Sequence, residues 1–134
     1  NEWYVVVGGQ RIGPYEAVLP GTPLVSPDGV SILYAARSNA KWSVFMAGKA
    51  IGPFDAIVPG SITANRSSSR LAFLAVVADR LLIVSARKGA DAFDVIRDTG
   101  LLVGVSTPRF PKQDTISYIA AREQAVRLVE VGLP

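Results

Sequence analysis

The sequence contains neither cysteine nor histidine. Without these residues a disulfide framework, a thiolate nucleophile and the usual zinc ligand sets are all excluded. A Ser-His-Asp triad lacks its base for the same reason, and the sequence holds no Gly-x-Ser-x-Gly, phosphate-loop or dinucleotide-binding motif. We therefore expect a protein that is not an enzyme and that carries no metal and no cofactor.

Charge is also sparse, since charged residues make up 19% of the chain and the formal net charge is +3. Nucleic-acid-binding domains usually cluster their basic residues, whereas here they are spread along the chain, so we expect no nucleic-acid partner. The longest apolar run, Leu71–Ala78, is far shorter than the roughly 20 residues of a membrane span. The chain begins at Asn1 rather than methionine, from which we expect that a preceding segment has been removed.

What the chain has in abundance is apolar residues, at 49%, together with 12 glycines and 9 prolines. This composition is typical of short β-strands separated by frequent turns. A length of 134 residues corresponds to one domain with a single core.

An internal repeat organises this domain. The segment Trp3–Gly21 aligns without a gap on Trp42–Gly60, at an offset of 39 residues. The same offset places Phe54-Asp55 on Phe93-Asp94, and about seven extra residues follow around Pro108–Thr115. We interpret the chain as one repeat domain, 1–134, with units at approximately 3–41, 42–80 and 81–134.

Each unit is predicted to form four short strands, because β-branched and aromatic residues alternate with turn residues. The thirteen predicted strands are, at the first position, Thr22–Ser26, Ser61–Asn65 and Leu101–Val105; at the second, Val30–Arg37, Arg70–Val77 and Thr115–Arg122; at the third, Trp3–Val7, Trp42–Ala47, Leu81–Ala86 and Val126–Val131; and at the fourth, Pro14–Val18, Pro53–Val58 and Ala92–Arg97. One alternative stays open, since Asp114–Val131 also has the spacing of an amphipathic helix that begins at Asp114 and ends before Gly132.

One turn carries a family resemblance. Ser26-Pro27-Asp28-Gly29 has the residues of a type I turn, and it is followed by the strand Val30–Arg37 and by Lys41-Trp42-Ser43-Val44-Phe45. This arrangement resembles the WD40-like (PD40) repeat of TolB-type β-propellers, and the resemblance extends over nearly the whole chain. The motif is intact once, because the later copies read Asn65-Arg66-Ser67-Ser68 and Ser106-Thr107-Pro108-Arg109.

The resemblance implies a six-bladed or similar propeller that binds proteins or peptides on its faces or in its central tunnel. The repeat itself predicts an all-β, propeller-like array of about three four-stranded blades. The resemblance also implies a periplasmic or secreted location, because proteins of this family are often exported. The same family supplies the non-catalytic domain of some serine peptidases. A propeller closes with four to eight blades, and an open arc leaves strand edges unpaired. We therefore expect a homo-oligomer, a dimer of half-propellers in which the N-terminal segment completes the partner's last blade.

Doubling thirteen strands gives two more than six four-stranded blades require, so either Trp3–Val7 or Val126–Val131 is an extra or unpaired strand. Other interpretations are a piece of a longer propeller, a gating or substrate-binding domain of a hydrolase, and a structural subunit of a filament or shell.

The repeat breaks in the loop between the first and second strands, at Asn65–Arg70 and Pro108–Asp114. Equivalent loops of a propeller project on one face, and arginine and aromatic residues are favoured at interfaces. The candidate partner-binding residues, predicted to form a basic patch with an aromatic anchor, are Arg66, Arg70, Arg109, Phe110 and Lys112. The alternative is an ordinary solvated loop.

Residues that recur once per unit are predicted to serve the fold. The acidic residues Glu16, Asp55 and Asp94 are expected to accept backbone hydrogen bonds or hold turns rather than act in catalysis. Trp3 and Trp42 are expected to pack between sheets rather than stack on a ligand. Gly8, Gly9 and Gly48 are predicted to be hairpin glycines.

Overall fold

A computed structural model describes residues 2–90, 92–101, 104–122 and 125–134. These residues form strands and turns without any helix, which confirms the all-β prediction and means that no described helix is long and apolar enough to cross a membrane. The strands are β1 Trp3–Val7, β2 Gln10–Tyr15, β3 Ala17–Val18, β4 Leu24–Val25, β5 Ile32–Ser38, β6 Lys41–Met46, β7 Lys49–Phe54, β8 Ala56–Ile57, β9 Thr63–Ala64, β10 Arg70–Val77, β11 Arg80–Arg87, β12 Asp94–Leu101, β13 Gly104–Val105, β14 Arg109–Lys112, β15 Thr115–Arg122 and β16 Ala125–Gly132.

The strands form four antiparallel sheets. Sheet I is the hairpin of β1 and β2. In sheet II the short strands β3 and β4 pair one after the other along β5, which is followed by β6 and β7. Sheet III repeats this plan with β8 and β9, then β10, β11 and β12, and sheet IV has β13 and β14, then β15 and β16.

A complete sheet has four strand positions. The two short strands together are position 1, and the three longer strands that follow them in the chain are positions 2, 3 and 4, which in sheet II are β5, β6 and β7. Sheets II and III then hold all four positions, sheet I holds positions 3 and 4, and sheet IV holds positions 1 to 3. Counting each pair of short strands once reduces the sixteen strands of the described residues to thirteen, the number that the sequence predicts, although several bounds differ.

The sheets pack on one another in chain order. Because alternate side chains of a strand point to opposite faces, one strand can contribute to the cores on both sides of its sheet. In β5, Leu33 and Ala35 belong to a buried core shared with sheet III, whereas Tyr34 and Ala36 form a second core with Val5 of sheet I. Sheet II is therefore covered on both faces.

Sheet III is covered on both faces as well. Leu71 and Phe73 of β10 face the core shared with sheet II, and Leu74, on the opposite face, packs with Ile116 and Tyr118 of sheet IV. Burial on both faces explains why β10 has a continuous apolar sequence rather than an alternating one.

Tight hairpins set the register of the strands. Gly8 and Gly9, with φ of 55° and 80°, connect β1 to β2, and Ala47 and Gly48, with φ of 51° and 80°, connect β6 to β7. Two successive residues with positive φ form the turn whose twist matches that of paired strands. The prediction of hairpin glycines is confirmed.

The predicted strands at positions 2 and 3 are confirmed, and three of them, Trp3–Val7, Arg70–Val77 and Thr115–Arg122, match residue for residue. The helical alternative for Asp114–Val131 is wrong, because β15 and β16 form an antiparallel hairpin there in which Thr115 pairs with Gly132. Residues 123 and 124 lie outside the described part of this hairpin.

The predicted fourth strands were wrong in their bounds. Pro14–Val18 joins the end of β2, in sheet I, to the start of β3, in sheet II. Glu16 separates the two strands, and its backbone N–H bonds to the carbonyl of Arg37 at 2.8 Å. Pro53–Val58 is divided in the same way at Asp55. Unbroken β propensity hides the point at which the chain passes from one sheet to the next.

The alignment of the third unit also needs correction. Asp94 pairs with Ser85 as Lys49 pairs with Met46, so Asp94 is the structural equivalent of Lys49 and not of Asp55. The extra residues lie largely between β11 and β12, within 88–93, of which Asp91 is outside the described residues.

The predicted insertion around Pro108–Thr115 instead contains strand β14, paired with β15 and followed by the two-residue turn Gln113-Asp114. The predicted strand Leu101–Val105 divides between β12 and β13, with residues 102 and 103 outside the described part. Sequence similarity alone placed the insertion wrongly because the strands on either side of it have similar compositions.

Candidate interaction site

Three turns at one end of the sheets form the candidate interaction site. The first, Ser26–Ser31, is held by Ser26, whose backbone N–H bonds to the carbonyl of Ser31 at 2.8 Å and whose hydroxyl accepts the N–H of Ser31 at 2.9 Å. Ser26 also donates its hydroxyl proton to Asp28 at 2.5 Å, and this bond is the main reason that the pKa of Asp28 lies below its ordinary value. The Ser-Pro-Asp-Gly motif therefore builds a rigid turn.

The second turn, Asn65–Ser69, has the same hydrogen bonds despite its different sequence. The N–H of Asn65 bonds to the carbonyl of Arg70 at 3.0 Å, and the Asn65 side-chain oxygen accepts the N–H of Arg70 at 3.0 Å. Ser68 adopts a φ of 60° where Gly29 has 76°. Asparagine thus replaces Ser26, and the break in the sequence repeat is not a break in the structure.

The third turn is Gln113-Asp114, between β14 and β15, and the three turns contact one another in chain order. The N–H of Asp28 bonds to the hydroxyl of Ser68 at 3.0 Å, and the Asn65 amide donates to the backbone oxygen of Gln113 at 2.9 Å. Ser67 donates its hydroxyl proton to the Gln113 side-chain oxygen at 3.0 Å. The turns form a continuous row, which we call the turn row.

A cavity of about 260 Å³ opens beside the second and third turns, lined by Arg66, Phe110, Pro111, Lys112 and Gln113. The structure therefore brings three of the five predicted partner-binding residues together, namely Arg66, Phe110 and Lys112. Two cations around a half-buried ring form a site suited to a carboxylate beside an apolar group.

The other two predicted residues stand apart from this cavity's lining. Arg70 is buried on β10, its Nε lies 3.2 Å from Asp114, and it donates to the backbone oxygen of Pro134. Arg87, opposite Arg70 on β11, donates to the same oxygen at 2.7 Å. Arg70 therefore connects sheet III to the last strands of the chain, while Arg109 lies exposed on β14.

The two structurally equivalent acidic residues serve the fold. Glu16 accepts the N–H of Ala40 at 3.0 Å, and Asp55 accepts the N–H of Ala78 at 2.5 Å. A hydrogen bond from Lys41 is the first cause, and the N–H of Ala78 the second, of a pKa of Asp55 below its ordinary value. Each carboxylate thus fixes the turn between positions 2 and 3 of the next sheet.

A second cavity, of about 450 Å³, lies between sheets I and II. Tyr15, Tyr34 and Phe45 are among its lining residues, with the ring of Phe45 stacked on Tyr34 at a centroid distance of 4.8 Å. The hydroxyls of the two tyrosines are 2.8 Å apart. Burial is the main cause of the raised pKa of Tyr34, so the Tyr34 phenol is neutral at physiological pH.

The two tryptophans have different environments although their repeat positions are equivalent. Trp42 is half-buried and packs against the core between sheets II and III, whereas Trp3 is 53% exposed. Other apolar side chains on the two end sheets, including Val6, Ile119, Val126 and Leu128, are exposed as well. Nothing in the sequence distinguishes Val6, Ile119, Val126 and Leu128 from the strand residues that are buried in the interior sheets.

Within the described residues, no cluster of three or more acidic, cysteine or histidine side chains is placed to hold a metal ion. No protein-family model matches the chain, and no curated protein is significantly similar to it. The fold and surfaces place the chain in the class of all-β proteins built from repeated antiparallel sheets.

Proposed function

We propose that the chain is a β-propeller-type assembly and binding module without catalytic activity, which associates with copies of itself through the outer faces of sheets I and IV. The supporting observation is that Val6 and Leu128 are exposed on these two faces, whereas their repeat equivalents in sheet III, which has a neighbouring sheet on each side, are fully buried. The exposed faces are the structural equivalents of packed interfaces.

Two equivalent pairs carry this comparison. Val6 of β1 is 62% exposed, whereas Val84, two repeats later on β11, is 0% exposed. Leu128 of β16 is 67% exposed, whereas Ile83, at the equivalent pairing position of β11, is 0% exposed. Covering each exposed side chain would gain about 1.5–3 kcal/mol of apolar transfer free energy before the costs of association.

The two faces fit each other better than each fits itself. In the interior of the chain, the face that follows one sheet packs on the face that precedes the next, so the face beyond sheet IV corresponds to the partner of the face before sheet I. We therefore propose head-to-tail contact, in which Leu128 of one copy faces Val6 of the next. Such contacts close into a ring when the rotation permits and otherwise extend into a filament.

The pairing of β1 with β2 and of β16 with β15 changes the expected form of ring closure. Sheet IV already has a position-3 strand in β16, and sheet I has one in β1, so completing the last blade with the partner's N-terminal hairpin would require β16 to leave. We favour stacking of the two sheets as separate layers, so that two copies form a closed ring of eight layers, within the typical range of propellers.

The turn row is the surface that we propose for binding a protein or peptide. Arg66 and Lys112 supply positive charge around Phe110, and the cavity beside them is preformed by the hydrogen bonds that hold Asn65 and Gln113. Because the sheets position these side chains, a partner with an acidic and an apolar residue close together fits this site best.

The assembly is tested by measuring molar mass in solution with light scattering over micromolar concentrations. We expect a dimer for the wild-type chain and a monomer for Leu128→Asp, because a carboxylate in an apolar interface is costly to desolvate. Arg127→Asp, on the opposite face of the same strand, is the matched control and should leave the mass unchanged. A wild-type chain that stays monomeric at these concentrations would contradict the proposal, and filaments would replace the ring with an open assembly.

A further inference from the structure

The cavity between sheets I and II has the size and the walls of a small-molecule site. Its volume of about 450 Å³ falls within the range of about 300–1,000 Å³ that is usual for ligand pockets. Its walls come from two facing sheets, since Val7 and Ile12 belong to sheet I, and Ile32 and Phe45 to sheet II. A ligand in this cavity is therefore covered on two sides by apolar side chains.

The junction between sheets II and III shows which group fits beside such residues. There the ring of Phe93, from the connection between β11 and β12, packs edge-on against Phe54 at a centroid distance of 5.1 Å. Tyr15 is the equivalent of Phe54 one repeat earlier, and the equivalent connection is the turn Ala47-Gly48, which has no side chain larger than a methyl group. Tyr15, Ala47 and Gly48 all line the cavity. The cavity thus lies where an aromatic ring packs in the next junction.

The cavity lies apart from the edge of β1 along which a position-2 strand would pair. In sheets II and III, positions 2 and 4 lie on opposite sides of position 3, so position 2 of sheet I belongs on the side of β1 that faces away from β2. A separate groove lies along β1, lined by residues within 3–6 and 18–23, and none of these residues lines the cavity. A strand at position 2 of sheet I would cover that groove and leave the space beside Ala47-Gly48 open.

The aromatic wall of the cavity favours a flat ring. Phe45 is stacked on Tyr34 with an angle of 11° between the ring planes, and Tyr15 lies 5.5 Å from Phe45 between ring centroids. Aromatic rings attract one another in stacked and edge-on arrangements beyond the gain from burial alone. We therefore expect an aromatic ligand to bind more tightly than a saturated one with the same carbon skeleton.

The polar groups at the cavity can all donate hydrogen bonds to a ligand. The hydroxyls of Tyr15 and Tyr34 bond to each other, which uses one of their two protons and leaves the other available. Ser31 is 5% exposed, and its hydroxyl has no hydrogen-bond partner among the described residues. Lys88 is the one charged residue of the lining within the described part of the chain. An anionic group that accepts hydrogen bonds satisfies these donors.

We propose that the cavity binds a small aromatic carboxylate, with its ring beside Tyr15 and Phe45 and its anionic group at Lys88. The apolar walls supply most of the affinity, and the few polar groups select an anionic ligand over a neutral one. The cavity shares no lining residue with the cavity of the turn row. The inference therefore depends neither on the proposed assembly nor on the proposed peptide binding.

Isothermal titration calorimetry with naphthoate tests the site, because this probe has two fused rings and one carboxylate. We expect saturable binding of one probe per chain. Two matched probes, naphthamide without the charge and decahydronaphthoate without the aromatic rings, should each bind about fivefold more weakly. Equal affinity for the three probes, or no binding of naphthoate at millimolar concentration, would overturn the inference.

Matched charge substitutions locate the carboxylate. Lys88→Met should weaken naphthoate binding about fivefold and leave naphthamide binding unchanged, because only the carboxylate interacts with the charge. Arg87→Met removes the neighbouring charge, which does not line the cavity, and should leave both affinities unchanged. A loss in Lys112→Met instead of Lys88→Met would place the probe in the turn-row cavity and overturn the assignment.

A filled cavity gives an independent test. Ile12 lines the cavity, so Ile12→Trp should place an indole ring in it and abolish naphthoate binding. Val95 is exposed on β12 and does not line the cavity, so Val95→Trp should bind naphthoate like the wild type. Circular dichroism checks that both variants are folded. Undiminished binding by folded Ile12→Trp would contradict the inference, and if this variant does not fold, the comparison of Lys88→Met with Arg87→Met decides.

Discussion

The junction between sheets II and III and the junction between sheets I and II are built from equivalent repeat positions, yet they are packed differently. In the first, Phe54 contacts Phe73 and Phe93 at centroid distances of 5.5 and 5.1 Å, and Phe54 and Phe73 are fully buried in the shared core. In the second, the equivalents Tyr15 and Tyr34 border a cavity of about 450 Å³. The sequence of a repeat unit therefore does not by itself determine how well its interface is filled.

The difference has two causes. Sheet I lacks positions 1 and 2, so half of the surface that would cover sheet II is missing from the described structure. In addition, Phe93 comes from the longer connection between β11 and β12, whereas the equivalent connection in sheet II is the short turn Ala47-Gly48. Completeness of the neighbouring sheet and length of one loop decide whether the same positions form a core or a pocket.

The largest effect is expected from emptying the filled junction. Phe73 is fully buried between sheets II and III, so Phe73→Ala should lower the free energy of unfolding by about 3–5 kcal/mol. Tyr34→Ala, at the equivalent position beside the cavity, should cost less, because water can enter the space that it leaves. Urea denaturation of the two variants checks this difference, and equal losses would mean that the two junctions are equally well packed.

A smaller effect is expected from one valine pair at equivalent positions. Val84→Ala removes two buried methyl groups and should cost about 2 kcal/mol. Val6→Ala, at a position 62% exposed, should change the stability of the monomer by less than about 0.5 kcal/mol. The measurement is made at low protein concentration, where association does not contribute. A large loss for Val6→Ala under these conditions would show that sheet I is covered within one chain.

Substitutions of Arg66 and Arg70, the two arginines near the second turn, should also differ in their effect on stability. Arg70→Ala removes the contacts with Asp114 and the backbone of Pro134, and should cost about 1–2 kcal/mol of stability. Arg66→Ala should leave thermal stability unchanged, because its side chain lines an open cavity. If Arg66→Ala destabilises the fold as much as Arg70→Ala, the turn row is a structural element rather than a binding surface.

The smallest effect concerns pH. The pKa of Asp55 is lowered in the folded state, first by Lys41 and then by the N–H of Ala78. A lowered folded pKa means that the stabilisation is present above the unfolded value of 3.8 and is lost as pH falls through the folded pKa. The temperature of the unfolding midpoint should therefore decrease as the pH is lowered below about 4. Asp55→Asn should make this temperature less dependent on pH. An unchanged pH profile in the variant would remove Asp55 as a contributor.

Much of the fold can be predicted from the sequence because the 39-residue offset compares equivalent positions directly. The strands at positions 2 and 3 follow from this alignment. So does the role of Glu16 and Asp55 as acceptors of backbone hydrogen bonds from turns. The passage between sheets at Glu16 cannot be predicted in the same way, because a two-residue strand such as Ala17-Val18 gives no periodicity to detect. The shift of the third unit is hidden for a related reason, since Phe93 resembles Phe54 in residue type while lying in a different element.

The candidate site was predictable in part. The sequence break at Asn65 falls on the turn that contains Arg66, and the tertiary structure adds the contact with Gln113 that brings Phe110 and Lys112 to it. The role of Arg70 depends on long-range contacts with Asp114 and Pro134, to which a local pattern gives no clue. The exposure of Val6 and Leu128 likewise depends on which neighbouring sheet is missing, not on their own sequences.

Mixing two variants tests the central claim, that the outer face of sheet IV packs on the outer face of sheet I, most directly. Val6→Asp disables sheet I and Leu128→Asp disables sheet IV, so each chain alone should be a monomer. An equimolar mixture retains one intact pair of faces and should form a heterodimer, measured as a doubling of molar mass in sedimentation. Dimers of either variant alone would indicate that like faces pair, and a mixture that stays monomeric would contradict the head-to-tail account.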